Sequence, residues 1–375
     1  MGKPAATVLA SSGWARSVGG IGPYLTLYSR ARISREAADA AVAAAEIHEL
    51  PSARGCTYVL PEADFALGLK LGQPFREPEM NVARKLGVIG KEIDKLGAAI
   101  VTALQRGPLE PSQLRETAGS AARNLGAEGK KKGMITTLPV ALGRLQAEGQ
   151  IRRVPVNGRL DQQRYKYFLW SPNPLAQFKL THEQCLTDLA RRYFSWIGPA
   201  TLAEFQWFSG MSQKACMAAV EPLRLVPIEP GSVRQMHKAD LEKLMDFKVP
   251  KEPCYNLVSS LDGISLLRRD VRSLLAPQDL ERVVPVDKGE RALGGLADLS
   301  SHAILDRGRV VGLWEFDPAA KEIVWISFIK PNAGMKDAVA KTEAYVRDQV
   351  GDARAFSLDS PKSRGPKLKA LRAAR

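Results

Sequence analysis

Two stretches of the chain repeat one order of elements, and this repeat limits the fold more than any other feature. In residues 91–170, "EIDKLGAAIVTALQRG" places Ile93, Leu96, Ala99, Ile100 and Leu104 along one helical stripe. "EPSQLRETAG" reads as a second, short helix, and "GMITTLPVALGRLQAEG" as a third that Pro139 weakens. "QIRRVPVNGRLDQQRYKYFLW" then reads as two strands, with Asn157-Gly158 as a hairpin-turn pair. Residues 182–245 repeat the order. "HEQCLTDLARRYFSWI" carries a stripe of Leu186, Leu189, Tyr193 and Trp196. "TLAEFQWFSG" and "MSQKACMAAVEPL" follow as two short helices meeting at "SGMS", with Ser212 as a cap, and "RLVPIEPGSVRQM" supplies hairpin strands. Three helices and a β-hairpin are the order of a winged helix. A lone helical corner would need neither the hairpin behind it nor a second copy beside it.

The flanking segments are less regular. "SREAADAAVAAAEIHE", residues 34–49, reads as an Ala-rich helix capped by Ser34. "PSARGCTYVLP" reads as a turn and strand, and "EADFALGL" resumes helical spacing, so residues 1–90 suggest an incomplete winged unit. From residue 250, "AILDRGRVVGLWEF" and "EIVWISFI" are strand-rich and joined by "DPAAK", with a closing helix over 335–350. Residues 361–375 hold six Lys/Arg and no acid, the composition of a flexible basic tail. The expected fold is α+β, with tandem winged-helix units and a C-terminal β-rich domain. Its expected divisions are 1–90, 91–170, 171–249, 250–360 and 361–375.

A net charge of +14 on 375 residues, spread along the chain, points to a polyanionic partner. Double-stranded DNA fits that charge and the winged units; solvated basic faces are the alternative. Phosphate contacts are expected from Arg152, Arg153, Arg159, Arg164 and Lys166 of the middle hairpin, and from Lys130, Lys131 and Lys132 in a glycine-flanked loop. Strand alternation puts Arg164 and Lys166 on one face, and Tyr165 and Tyr167 on the other. Gln213 and Lys214 open the third helix of the second unit, where base or phosphate contact is expected. Cys56, Cys185, Cys216 and Cys254 are far apart, as are the four histidines, so neither a metal nor another cofactor is expected. No apolar run approaches the ~20 residues of a membrane span, and "TVLASSGWA" is too short and polar for a signal peptide. "MGKPAA" lacks the Ser/Thr of a myristoylation signal. The expectation is a cytoplasmic, monomeric protein.

Four stretches carry a family likeness: "ARRYFSWIGPATLAEFQWFSG", "LVSSLDGISLLRRDVRSLL", "ILDRGRVVGLWEF" and "ARGCTYVLPEAD". In order and spacing the chain resembles the AlkZ-like (YcaQ-like) family of winged-helix DNA glycosylases over roughly residues 14–350. The first stretch is similar to the family's GPAT run leading into a recognition helix. In the second, Asp262, Leu266, Leu267 and Asp270 stand at matching places. The resemblance implies tandem winged helices around a basic channel. It also implies metal-free excision of alkylated bases or unhooking of crosslinks, by water attack as the glycosidic bond breaks.

The resemblance fails at the chemistry. The family's Q-x-Q or Q-x-D pair lies about seven residues before a segment that here is "LTLYSR". Counting back puts Arg16 and Val18 at those positions, and residues 1–30 contain no Asp, Glu or Gln. The family's histidine in "RGT-x-H" is Tyr58 here. Asp262 is the best remaining acidic candidate, although Asp-Gly is also an ordinary turn pair. Tyr58 is a weaker candidate, more naturally core. The expected function is therefore DNA binding, on damaged or structured DNA, without the usual excision motif. The alternative is an active but divergent glycosylase.

Overall fold

The computed structural model describes residues 4–286 and 289–374. Residues 1–3 of "MGKPAA", residues 287–288 of the β-rich segment and Arg375 of the basic tail lie outside them. Every strand pairing among the described residues is antiparallel, which with the abundant helices makes the fold α+β.

In the middle of the chain, helix Gly90–Leu104 buries Ile93, Leu96, Ile100 and Leu104, the stripe legible in its sequence. Helix Pro111–Ala118 starts with proline at its first position and a capping box between Glu110 and Gln113. Helix Leu138–Ala147 has Pro139 in its first turn, where a missing N–H breaks no bond, so the proline starts this helix instead of weakening it. An extra helix, Gly126–Lys131, takes up Lys130 and Lys131, expected in a loop. Strands Ile151–Pro155 and Tyr165–Leu169 pair with Pro155 opposite Tyr165. Asn157-Gly158 turns within a longer loop, residues 156–164, and is not a two-residue hairpin connection.

The later repeat has sharper helix ends. Thr181 and Gln184 form a capping box for His182–Ile197, Thr201 and Glu204 one for Leu202–Ser209, and Ser212 caps Gln213–Val220. Its hairpin strands, Val226–Pro227 and Gln235–Met236, are only two residues each.

The N-terminal helix Arg35–Ala43 stops earlier than expected. Ala45 adopts a left-handed φ of 58°, and "IHELP" becomes the wholly buried strand Ile47–Pro51. Strand Thr57–Pro61 sits between Ile47–Pro51 and the short strand Ala15–Arg16. The expected division of 1–90 from 250–360 does not describe the packing. Leu9, Tyr24, Leu25 and Leu27 share one core with Tyr255, Leu257, Trp314, Phe316 and Met335. The four-stranded sheet behind that core runs Glu322–Ser327, Arg309–Asp317, His302–Asp306, Tyr255–Val258. Trp14, Tyr58 and Phe65 instead share a core with Tyr193, Phe194, Phe205 and Phe208 of the later repeat.

The expected flexible tail is a helix, Pro361–Ala373, capped by Ser360. Arg364, Leu368 and Leu371 fall on one stripe and are buried, and Arg364 forks onto Asp352 at 2.8 and 3.0 Å. A second buried pair joins distant segments: Arg30 donates twice to Asp262, at 2.7 Å each. Burial opposes ionisation of Asp262, but the Arg30 charge and its hydrogen bonds, with those from Ile264 and Thr26, outweigh it and hold the carboxyl below its usual pKa.

Buried groups generate two stability predictions. Asp262→Asn leaves the Arg30 guanidinium without its carboxylate, and should cost roughly 3–5 kcal/mol in urea unfolding at neutral pH. His48 is 1% exposed, set edge-on to Trp170 and Phe65, with no hydrogen-bond partner on either ring nitrogen among the described residues. Burial, helped by the charges of Arg152 and Arg153, pulls its pKa down to about 3. An unfolded histidine takes its proton near pH 6.5, so between there and the native value only the unfolded chain is charged at this site. Stability from His48 is complete above that range and lost as pH falls, by about 1.4 kcal/mol per unit. Wild-type protein should lose that much more than His48→Leu between pH 6 and 5 in urea titrations.

Candidate functional site

The place where the family likeness puts catalysis is the edge of the N-terminal sheet. Strand Ala15–Arg16 pairs with Thr57–Pro61, setting Arg16 opposite Tyr58. Arg16 donates to the Thr57 carbonyl at 3.0 Å and stacks its guanidinium 5.4 Å from the Tyr58 ring centre. Tyr58 is 3% exposed, wedged against Trp14 and Phe208. Burial raises the pKa of its hydroxyl, Cys56 adds to the rise, and Arg16 and Arg54 oppose it. Tyr58 is thus a core side chain whose hydroxyl holds its proton, the core reading of this residue.

Val18 lies in a loop that other parts of the chain hold shut. Its carbonyl accepts from the Ser357 amide at 2.9 Å, and the Gly19 carbonyl accepts from Arg354 Nε at 2.9 Å. Ile21 N–H donates to the Arg354 carbonyl at 2.8 Å. A Cβ on Gly20 would stand 2.2 Å from the Ala355 carbonyl oxygen, so only glycine lets the segments approach this closely. Between Arg16 and Gly22 there is no carboxylate or side-chain amide to orient a water for attack on a sugar, and the one hydroxyl, on Ser17, is buried.

Asp262 does not replace the missing pair. Its carboxylate is fully buried, accepts from Arg30, Thr26 and the Ile264 amide, and caps the short helix Gly263–Leu266. The turn reading of Asp-Gly therefore describes it, and its role is to clamp the fold. Sequence reasoning misses a different carboxylate. Glu49, in strand Ile47–Pro51, is buried and accepts from Arg153 and from the Tyr165 hydroxyl at 3.0 Å. Its Oε2 has no partner among the described residues. The one signal for it is an acid inside an otherwise buried strand.

The basic residues divide into two groups. Arg153 and Arg159 are corrected from phosphate ligands to internal braces: Arg153 pairs with Glu49, and Arg159 pairs with Asp161 and the Val350 carbonyl. Arg152 is half-buried over Phe168. Outward-facing positions remain at Arg164, whose side chain is 78% exposed with Glu110 at 3.1 Å, and at half-exposed Lys166. Tyr167 points into the core and Tyr165 to Glu49, the alternation expected. Lys130, Lys131 and Lys132 lie on helix Gly126–Lys131 and its C-terminal edge, with Lys131 exposed beside Glu128. Gln213 and Lys214 are exposed in the first turn of Gln213–Val220, whose inner face buries Cys216 and Ala219. Three residues not singled out in the sequence also converge: the guanidiniums of Arg54 and Arg269 lie 4.2 and 4.6 Å from the Trp207 ring centre.

Among the described residues, no group of three or more His, Cys, Asp and Glu side chains could hold a metal ion. No described helix is long and apolar enough to cross a membrane.

Comparison with known proteins places this geometry. The family model described as DNA glycosylase AlkZ-like matches residues 21–353. The solved structure of the DNA glycosylase AlkZ from Streptomyces sahachiroi is similar in fold, with a TM-score of 0.64 and 19% identity over 94% of this chain and 93% of that one. No curated protein matches significantly. The family match begins after Val18 and ends before Arg354, so Arg16, Val18 and residues 354–357 fall outside it, while Ile21 and Gly22 fall inside. With most of its length matched, the chain belongs to the AlkZ-like DNA glycosylase family.

Proposed function

We propose that this protein binds duplex DNA, damaged or otherwise distorted, without releasing a base. The observation that carries the reading is the state of the loop at residues 16–22. It presents an arginine and a valine where the family likeness expects an amide and an amide or acid, and its backbone is bonded to residues 354–357. Positioned general-base help contributes about 10²–10⁴-fold to such reactions, and this loop has no group to give it. An arginine there also repels the positive charge that develops on the sugar.

Binding needs none of those groups. The order of helices followed by a hairpin in residues 182–236, and in residues 90–169 with the extra helix Gly126–Lys131, supports reading each as a winged helix, with a partial third unit at the N-terminus. In this reading, phosphate contacts fall to Arg152, Arg164, Lys166 and Lys130–Lys132, and Gln213 and Lys214 open the helix that faces a groove. Family membership and the net charge of +14 favour DNA as the polyanion. The hairpin lies along the backbone by its strand face, because its loop is engaged inside the protein.

A second reading, an active but divergent glycosylase acting on alkylated or crosslinked DNA, draws on Glu49. Its unpartnered Oε2 is a buried acceptor on the strand that flanks Thr57–Pro61 on the side opposite Ala15–Arg16. One assay separates the two. Incubation with duplex carrying N7-alkylated guanine should give abasic sites at the uncatalysed rate. Sites above that rate which disappear in Glu49→Gln would establish the second reading.

Binding itself is measured by titration across salt. Arg164→Ala combined with Lys166→Ala should weaken binding to all sequences about equally, lowering the log–log salt slope by about 0.9 for each phosphate no longer neutralised. An unchanged slope would mean that this strand face meets only water.

A further inference from the structure

Arginines in this protein are mostly committed. Arg30, Arg153, Arg159, Arg192 and Arg364 each pair with a buried or half-buried carboxylate. Arg16 and Arg54 do not: among the described residues neither has an acidic partner. Arg16 makes one hydrogen bond, to the Thr57 carbonyl, and its plane rests on Tyr58. Arg54 is exposed and rests on Trp207, as does Arg269, whose one acidic partner among the described residues is Asp298 at 3.2 Å.

These contacts are built rather than incidental. Arg54 and Arg269 adopt left-handed φ values of 57° and 52°, a conformation that is unfavourable for an L-residue. Gly210, at φ 73°, lets the end of helix Leu202–Ser209 reach the Arg54 backbone: a Cβ there would lie 2.9 Å from Arg54 Cα. Three segments far apart in sequence thus fix two guanidiniums on one indole. Tyr58, on which Arg16 rests, packs against Phe208, the neighbour of Trp207 in helix Leu202–Ser209, which joins the Arg16 end to the Arg269 end. A guanidinium stacked on a ring keeps its planar N–H fork free at the edge, the shape that meets a phosphate with two parallel hydrogen bonds.

We infer that Arg16, Arg54 and Arg269 form a row that grips the phosphodiester backbone of a DNA strand, along the edge where the family likeness would put base excision. The inference rests on the DNA-binding reading above and gives that edge a new job. Asp298 offsets one of the three charges and orients Arg269. Arg16 stands where the family likeness expects a glutamine, whereas Arg54 is the arginine of the "RGT-x-H" run. An extended row matches a chain of phosphates better than a single small anion.

The test uses the full-length protein, a fluorescein-labelled duplex, and titrations between about 50 and 200 mM salt, where counterion release is steep enough to read. Arg54→Gln should lower the salt slope by about 0.9, and Arg16→Gln with Arg54→Gln by about 1.8, with thermal unfolding as in the wild type. If the double variant fails to fold, Arg54→Gln decides alone, because its side chain is exposed and makes no hydrogen bond in the described residues. Wild-type binding with an unchanged slope in Arg54→Gln overturns the row and leaves the DNA reading standing. Absence of wild-type binding overturns the DNA reading and the row together.

Discussion

Leu160 is fully buried in a core to which its own helices contribute nothing. It sits in the loop of the middle hairpin and inserts between the two ends of the chain. Its amide donates to the Tyr24 hydroxyl at 2.9 Å, while Arg159 reaches the Val350 carbonyl and Arg354 reaches the Asp161 carbonyl. One side chain of this size contributes roughly 1.5–3 kcal/mol by burial. Its larger effect is geometric. With the loop held here, Gln163 packs against Gly19, and residues 354–357 are brought across the loop that contains Val18. The shape of the sheet edge, the withdrawal of Arg159 from the surface and the position of the hairpin strands all depend on this insertion.

The same insertion explains why net charge is a poor guide to which cations meet a ligand. Charge +14 is a property of the whole chain, yet many of its guanidiniums act as internal struts with carboxylates or carbonyls. Burying a guanidinium is tolerable only when such partners are in place. Cations without acidic partners are therefore the informative ones, and two of them border the sheet edge.

How much of this is legible in the sequence varies with the range of the forces. Helices with a long apolar stripe, such as Gly90–Leu104 and His182–Ile197, are legible, because periodicity and caps are local. The strand Ile47–Pro51 is masked, because its preceding alanines favour helix and its burial comes from elsewhere. The C-terminal helix is masked because its basic residues hide a stripe of Arg364, Leu368 and Leu371 that is apolar only in part. At the site, the absence of Gln and Asp at 16 and 18 is plain from residue identity. Which arginines remain free is not, since Asp161, Glu49 and the Val350 carbonyl claim theirs through contacts that span up to 191 residues.

The shared core of the two chain ends bears on the order of synthesis. A ribosome delivers Leu9, Tyr24 and Leu27 long before Tyr255, Trp314 or Val346, against which they pack. Until those residues emerge, the first helices can bury only part of their apolar surface. The later repeat can meanwhile assemble around Phe205 and Phe208 with Trp14 and Tyr58. Native contacts between such distant segments are slow to form and leave apolar surface open while they wait. These early helices are thus the part of the nascent chain most exposed to aggregation, and the segments around Tyr255, Trp314 and Val346 are the ones that relieve it.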